Sequence, residues 1–109
     1  MYQYKELYTL DFSRVNYLGE VHQILKKELD FPDYYGENED ALWDCLTDMI
    51  TDPTIHIELI GFERVQRLFP WNAEIILDIF KDLKHYDNDC YIDKIKIEIV
   101  MGEARYEIR

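Results

Sequence analysis

Three aspartates are the residues whose spacing in this sequence could do chemistry. Asp40, Asp44 and Asp48 recur every fourth residue, so in an α-helix their carboxylates would form one ridge. Two carboxylates can act as the acid and base of a glycosidase, and several can bind a metal ion. The ridge has no calcium-loop spacing and no sequence sign of a cleft. We therefore expect no metal site and no enzyme activity.

Other groups that could support catalysis or bind a cofactor are scattered. His22, His56 and His85 fall on separate predicted elements and are expected to be surface or structural histidines. Cys45 and Cys90 lie far apart without CxxC spacing, which predicts buried free thiols rather than a zinc site and leaves a disulfide possible. The sequence contains no P-loop and no GxGxxG, so we expect no cofactor.

The aspartate ridge lies in a segment without a basic residue. Between Lys27 and Arg64 there are eleven acids, whereas the rest of the chain carries twelve acids and twelve bases, so the formal charge of −11 arises here. Like charges four residues apart cost a helix about 0.2–0.5 kcal/mol per pair, and a merely solvated helix would intersperse lysines. Such charge argues against direct binding to nucleic acid and favours a basic protein partner.

Aromatic residues accompany the carboxylates. Trp43 is predicted on the exposed side of the helix with the three aspartates, and the turn at 32–36 is predicted to present Tyr34 and Tyr35. Exposed aromatics among charges are typical of binding hot spots. The pattern favours a protein-binding surface over a solvated charged face without naming the partner.

The elements that must hold this surface follow an α/β order. Apolar periodicity predicts strands over 5–12, 54–60 and 91–101 and helices over 17–29 and 61–68. Asn38 is the predicted N-cap of the acidic helix, and Asn72 that of a helix reaching about Tyr86. The side of the acidic helix that should face the core consists of Ala41, Leu42, Cys45, Leu46 and Met49. Trp71 is predicted to pack in the core or at the start of its helix.

These elements predict a small α/β domain spanning residues 1–109. Helical crossovers imply a three-stranded parallel sheet with about four helices. Gly102-Glu103 suits a two-residue turn with glycine first, which would add an antiparallel C-terminal strand. No apolar run approaches the roughly 18 residues of a membrane span, and the N-terminus lacks a secretory signature, so we expect a cytoplasmic protein without a membrane partner.

Three adjoining motifs carry a resemblance to a known family. HQILKKEL from His22, FPDYYGEN from Phe31 and DALWDCLTD from Asp40 closely resemble the barstar family of intracellular inhibitors of the bacterial ribonuclease barnase. The resemblance is dense and ungapped from about residue 22 to residue 47. It implies an inhibitor that plugs the active site of a basic extracellular-type ribonuclease in a 1:1 complex.

The resemblance also implies roles for individual residues. Asp44 would be central, with its carboxylate where substrate phosphate would sit, and Asp40 would pair with an enzyme base. Tyr34 would pack against the catalytic region of the nuclease, and Asp82 matches a further family acid on the last helix, where glutamate is usual. The residues implied to shape or contact the same surface are Tyr35, Gly36, Asn38, Trp43 and Thr47.

The chain departs from the family pattern at several positions. Glu39 and Asp48 put charge where the pattern is uncharged, so we expect both at the partner surface. Met49 replaces a large aromatic, and a longer tail carries the predicted hairpin. The target could therefore be a barnase-like nuclease or the nuclease domain of a toxin, which would make the chain an immunity protein. A non-inhibitory module that docks on a basic protein is the remaining alternative.

Overall fold

A computed structural model of the chain describes residues 6–49, 55–89 and 92–109. Its elements, in chain order, are β1 (Glu6–Asp11), α1 (Leu18–Glu28), α2 (Glu39–Met49), β2 (Ile55–Ile60), α3 (Phe62–Leu68), α4 (Pro70–Lys84), α5 (Tyr86–Asp89), β3 (Ile95–Met101) and β4 (Ala104–Ile108). The α/β prediction is confirmed. The fifth helical element, α5, is a four-residue turn in which Asp87 and Asn88 have left-handed dihedral angles.

The four strands form one sheet in the order β1-β2-β3-β4. The first three are parallel, with Tyr8 opposite Ile57 and Ile57 opposite Ile97, and β4 is antiparallel to β3. Met101 pairs with Ala104 across a two-residue turn, and Gly102 has φ of 62°, as a turn with glycine first requires. The predicted topology, including the added strand, is confirmed.

The buried side chains form one hydrophobic cluster between the sheet and the helices. Ile57 and Ile97 supply the centre of the sheet, and Leu25, Ile76 and Phe80 supply the facing helices, all fully buried. Burial of each such side chain stabilises the fold by about 1.5–3 kcal/mol. This core fixes α2 and α4, the two helices that carry the predicted acids.

The acidic helix α2 is held as the sequence predicts, except that the side chain of Met49 lies outside the described residues. The side-chain oxygen of Asn38 accepts a hydrogen bond of 2.8 Å from the Ala41 amide, which confirms the N-cap. Leu42, Cys45 and Leu46 are buried, and Ala41 is half-buried. The cysteine is a free thiol. One side of α2 is therefore committed to the core and the other to solvent.

The start of α4 differs from the prediction. The helix begins at Pro70, because proline suits the first helical position, where no amide hydrogen is needed. Asn72 therefore lies inside the first turn instead of capping it. Trp71 is 75% exposed, so the prediction that it packs in the core or at the helix start is wrong.

Some predicted features lie outside the described residues, namely Lys5, Thr54, Tyr91 and the thiol of Cys90. Strand β3 begins at Ile95, later than predicted, after a turn at 92–94. Within the described ranges, no helix combines the length and the apolar character that crossing a membrane would require.

Candidate functional site

The acids of α2 and α4 meet at an open groove of about 600 Å³. We call it the acidic groove; its lining residues are Glu39, Asp40, Trp43 and Asp44 of α2 and Ile75, Ile79 and Asp82 of α4. The fold thus brings Asp82 of α4 beside the acids of α2. The sequence carries no sign of this groove, because the packing of α4 against α2 creates it.

The carboxylates of the acidic groove are not neutralised within the described part of the chain. The ion pairs found there involve Asp33, Glu58, Asp89, Glu98 and Glu107 as acids. Glu39 accepts a hydrogen bond of 2.9 Å from the neutral side-chain amide of Asn72. The groove therefore presents uncompensated negative charge to solvent.

Trp43 forms a half-buried wall of the acidic groove, not the exposed side chain predicted. Its ring packs edge-on against Tyr86, with centroids 5.8 Å apart. It also packs against the hydrophobic core together with Ile75. An apolar wall beside carboxylates lowers the local dielectric constant and strengthens their attraction for a cation.

The turn before α2 presents one of its two tyrosines. Tyr34 is 79% exposed, whereas Tyr35 is 5% exposed and packs on Phe31, so the prediction that both are presented is wrong for Tyr35. The hydroxyl of Tyr35 is hydrogen-bonded to Nδ1 of the buried His22 over 2.6 Å. Burial raises the pKa of Tyr35. It also lowers the pKa of His22, against an opposing effect of Glu39.

Gly36, Asn38 and Thr47 shape the backbone of the site. The side-chain amide nitrogen of Asn38 donates a hydrogen bond of 3.2 Å to the carbonyl oxygen of Gly36. A Cβ atom added to Gly36 would lie 3.3 Å from the same nitrogen. The Thr47 hydroxyl donates to the carbonyl oxygen of Trp43 over 3.1 Å. The polar groups of Asn38 and Thr47 thus form hydrogen bonds within the chain.

Asp48 lies apart from the acidic groove. It lines a hollow of about 180 Å³ with residues that include Tyr34 and Cys45. Burial raises the pKa of the Cys45 thiol, and the charges of Asp48 and Asp44 add to the effect. The thiolate is disfavoured, so Cys45 is unsuited to act as a nucleophile.

A second polar cluster, which the sequence reasoning missed, lies on the sheet. One ligand atom each of His56, Glu58 and Glu98 lies within 4.8 Å of the others, a spacing that could hold a metal ion. Arg105 instead donates hydrogen bonds to both carboxylates, and Thr9 donates to Glu58. These hydrogen bonds hold the pKa of Glu58 below its usual range.

The guanidinium group of Arg105 thus supplies the positive charge beside Glu58 and Glu98 that a metal ion could otherwise supply. The available signal in the sequence was the alternation of these polar residues with buried isoleucines in neighbouring strands. The interactions of His22 and His56 support the prediction of structural histidines.

Comparison with known proteins gives two consistent findings. The sequence model of a family described as "Barstar (barnase inhibitor)" matches residues 6–99, a range that contains α2 and α4 and stops before β4. A protein of Bacillus subtilis (strain 168), named "Putative ribonuclease inhibitor YrdF", is 39% identical over 88 residues. That similarity covers 81% of this chain and 90% of the relative.

Proposed function

Because this chain belongs to the barstar family, we propose that it inhibits a basic bacterial ribonuclease by covering the enzyme's active site with the acidic groove. The family and the named relative support a ribonuclease-inhibitor-like role. The proposal adds the mechanism, a 1:1 complex and the face that binds. We also propose that the protein is not an enzyme and that it works in the cytoplasm.

The observation that carries the proposal is the set of uncompensated carboxylates in one groove. A ribonuclease holds the phosphates of its substrate with arginine, lysine or histidine side chains. Such groups form short, charge-assisted hydrogen bonds with carboxylates as they do with phosphates. Asp44 would take the place of the phosphate, with Asp40 one turn earlier on α2 and Asp82 across the groove on α4.

The apolar residues of the acidic groove have a separate part in this mechanism. Trp43, Ile75 and Ile79 would exclude water around the ion pairs, which strengthens each pair once the complex has formed. Tyr34 is exposed on the turn before α2 and would pack beside the nuclease's catalytic region. The carboxylates would attract the basic nuclease, and these apolar and aromatic side chains would provide the complementary contact surface.

Glu39 and Asp48 are the acids by which this chain departs from the family pattern. Glu39 lines the acidic groove beside Asp40, while Asp48 lies in the separate hollow with Tyr34. We propose that they adjust which basic nuclease is bound. The partner is a barnase-like enzyme or the nuclease domain of a bacterial toxin, and in the second case the chain acts as an immunity protein.

RNA cleavage by barnase and by a panel of toxin nuclease domains, titrated with this protein, tests the proposal. We expect cleavage by at least one basic nuclease to stop near a 1:1 ratio. Asp44→Ala should weaken that inhibition by roughly 3–5 kcal/mol, because it leaves enzyme cations buried without a partner.

The matched control is Glu103→Ala, which also truncates an acidic side chain and removes one negative charge but lies in the β3–β4 turn. It should inhibit like the unmodified protein. Failure to inhibit any nuclease of the panel at micromolar protein would refute the proposal. Binding with cleavage intact would instead identify a non-inhibitory module.

A further inference from the structure

We propose that the partner-binding surface continues beyond the acidic groove to Trp71, whose exposed ring stacks on an arginine side chain of the nuclease. This inference rests on the proposed function and extends it to a residue that neither the family motif nor the acidic groove includes. It assigns a purpose to the exposed tryptophan at the start of α4.

Trp71 is positioned as an extension of the groove. It is the second residue of α4, and Ile75, which lines the groove, lies one helical turn later on the same face. The 2.9 Å hydrogen bond from the Asn72 amide to Glu39 ties the first turn of α4 to the first turn of α2. Trp71 therefore lies at the end of the groove where these two helices begin.

The exposure of Trp71 has no explanation within the described part of the chain. Tryptophan is usually well buried because of its large apolar surface, yet this side chain is 75% exposed. The aromatic contacts found in the described residues involve other rings. Tryptophan is among the residues most enriched in binding hot spots.

The carboxylates near Trp71 indicate which kind of side chain would stack on its ring. Glu39 contacts the neighbouring Asn72, and the exposed Glu74 lies three residues along the helix. A cation is attracted both to these carboxylates and to the face of an indole. Among basic side chains, the planar guanidinium of arginine stacks best on an aromatic face and loses less hydration than lysine. A basic nuclease offers such groups, so we assign an arginine of the partner.

Dissociation kinetics with the nuclease that the inhibition panel identifies test this assignment. Trp71→Ala should speed dissociation about 10-fold, the scale of a partly desolvated cation–π contact, and change the association rate less than about 2-fold because no charge is lost. Trp71→Phe keeps an aromatic face and should retain most of the affinity, whereas Trp71→Leu should behave like alanine.

Tyr106→Ala is the control, since it removes another exposed aromatic side chain, on β4. Tyr106→Ala should dissociate from the nuclease at the rate of the unmodified protein. All variants should have the same unfolding midpoint as the unmodified protein. Unchanged dissociation of Trp71→Ala, alongside loss of inhibition by Asp44→Ala, would overturn this inference and leave the proposed function standing. Binding by Trp71→Leu as tight as that of the unmodified protein would also overturn the inference. So would an unfolding midpoint of Trp71→Ala low enough to explain its weaker binding. Absence of inhibition by the unmodified protein would overturn both proposals.

Discussion

Tyr35→Phe removes one oxygen atom from the interior and should lower the free energy of unfolding by about 1–3 kcal/mol. The magnitude follows from the surroundings of that atom. Tyr35 is 5% exposed and His22 is 2% exposed, so water cannot replace the 2.6 Å hydrogen bond to the ring nitrogen. For 109 residues the entropy of unfolding is ~0.23 kcal/mol/K, which converts this loss to a melting temperature about 4–13 °C lower.

The adjacent tyrosine supplies the control for this substitution. Tyr34 is 79% exposed, and Tyr34→Phe should change the unfolding free energy by less than about 0.5 kcal/mol. Urea and thermal unfolding at pH 7.5, followed by circular dichroism, measure both variants. In the inhibition assay we expect position 34 to matter more than position 35. Removing the whole ring with Tyr34→Ala should weaken inhibition, whereas Tyr35→Phe should leave inhibition nearly unchanged at temperatures where the variant is folded.

A double-mutant cycle isolates the hydrogen bond itself. The double variant with His22→Leu and Tyr35→Phe lacks both polar partners. Its free energy of unfolding should be about 1 kcal/mol higher than the sum of the two single losses predicts. A Tyr35→Phe variant as stable as the unmodified protein would refute the reasoning. So would one that weakens inhibition as much as Tyr34→Ala, because the hydroxyl would then act at the partner surface.

Four further measurements test the N-cap of α2, the titration of His22 and Glu58, and the charge of the acidic groove. Asn38→Ala should cost about 1 kcal/mol in urea unfolding through the lost N-cap, and a cost below about 0.3 kcal/mol would contradict that role. His22→Asn should flatten the pH dependence of stability. Burial lowers the pKa of this histidine, so the stability due to its neutral ring is full above about pH 6.5 and is lost as the pH falls through the folded value; an unchanged slope between about pH 7.5 and 5 would contradict this. Arg105→Ala should destabilise the protein at pH 7 but not at about pH 2. The lowered pKa of Glu58 gives stability above its ordinary value of 4.5 that is lost as the pH falls through the folded value, and an equal loss at both pH values would refute this. Association with the nuclease should slow steeply as salt rises from about 0.05 to 0.5 M, an expectation carried over from barnase and barstar, a standard example of electrostatic steering; a constant rate would contradict it.

The sequence predicts what depends on neighbours along the chain. The N-cap Asn38 and the buried positions Leu42, Cys45 and Leu46 follow from local hydrogen bonding and helical spacing, and both are confirmed. The parallel order of the strands follows equally from the alternation of strands and helices. The turn at Gly102 follows from the conformational freedom of glycine.

The sequence does not predict what depends on contacts between distant elements. Tyr34 and Tyr35 are chemically identical neighbours, and tertiary contacts distinguish them, because Tyr35 packs on Phe31 and is hydrogen-bonded to His22 of α1. The acidic groove exists because α4 packs beside α2, a geometry that no spacing within α2 reveals. At Pro70 both local rules apply, since α3 ends at Leu68 before the proline and α4 begins at the proline itself, and the spacing along the chain does not reveal how soon the second helix starts.

The antiparallel strand β4 changes the backbone edge that the sheet offers to other molecules. Strand β3 (Ile95–Met101) is rich in isoleucine and valine, the kind of segment that pairs with copies of itself when its edge is open. Here that edge is hydrogen-bonded to β4, a five-residue strand that carries Arg105 and Glu107. Short, charged edge strands discourage further pairing. The C-terminal hairpin therefore replaces the apolar edge of β3 with a short, charged edge that is less suited to pairing with another chain.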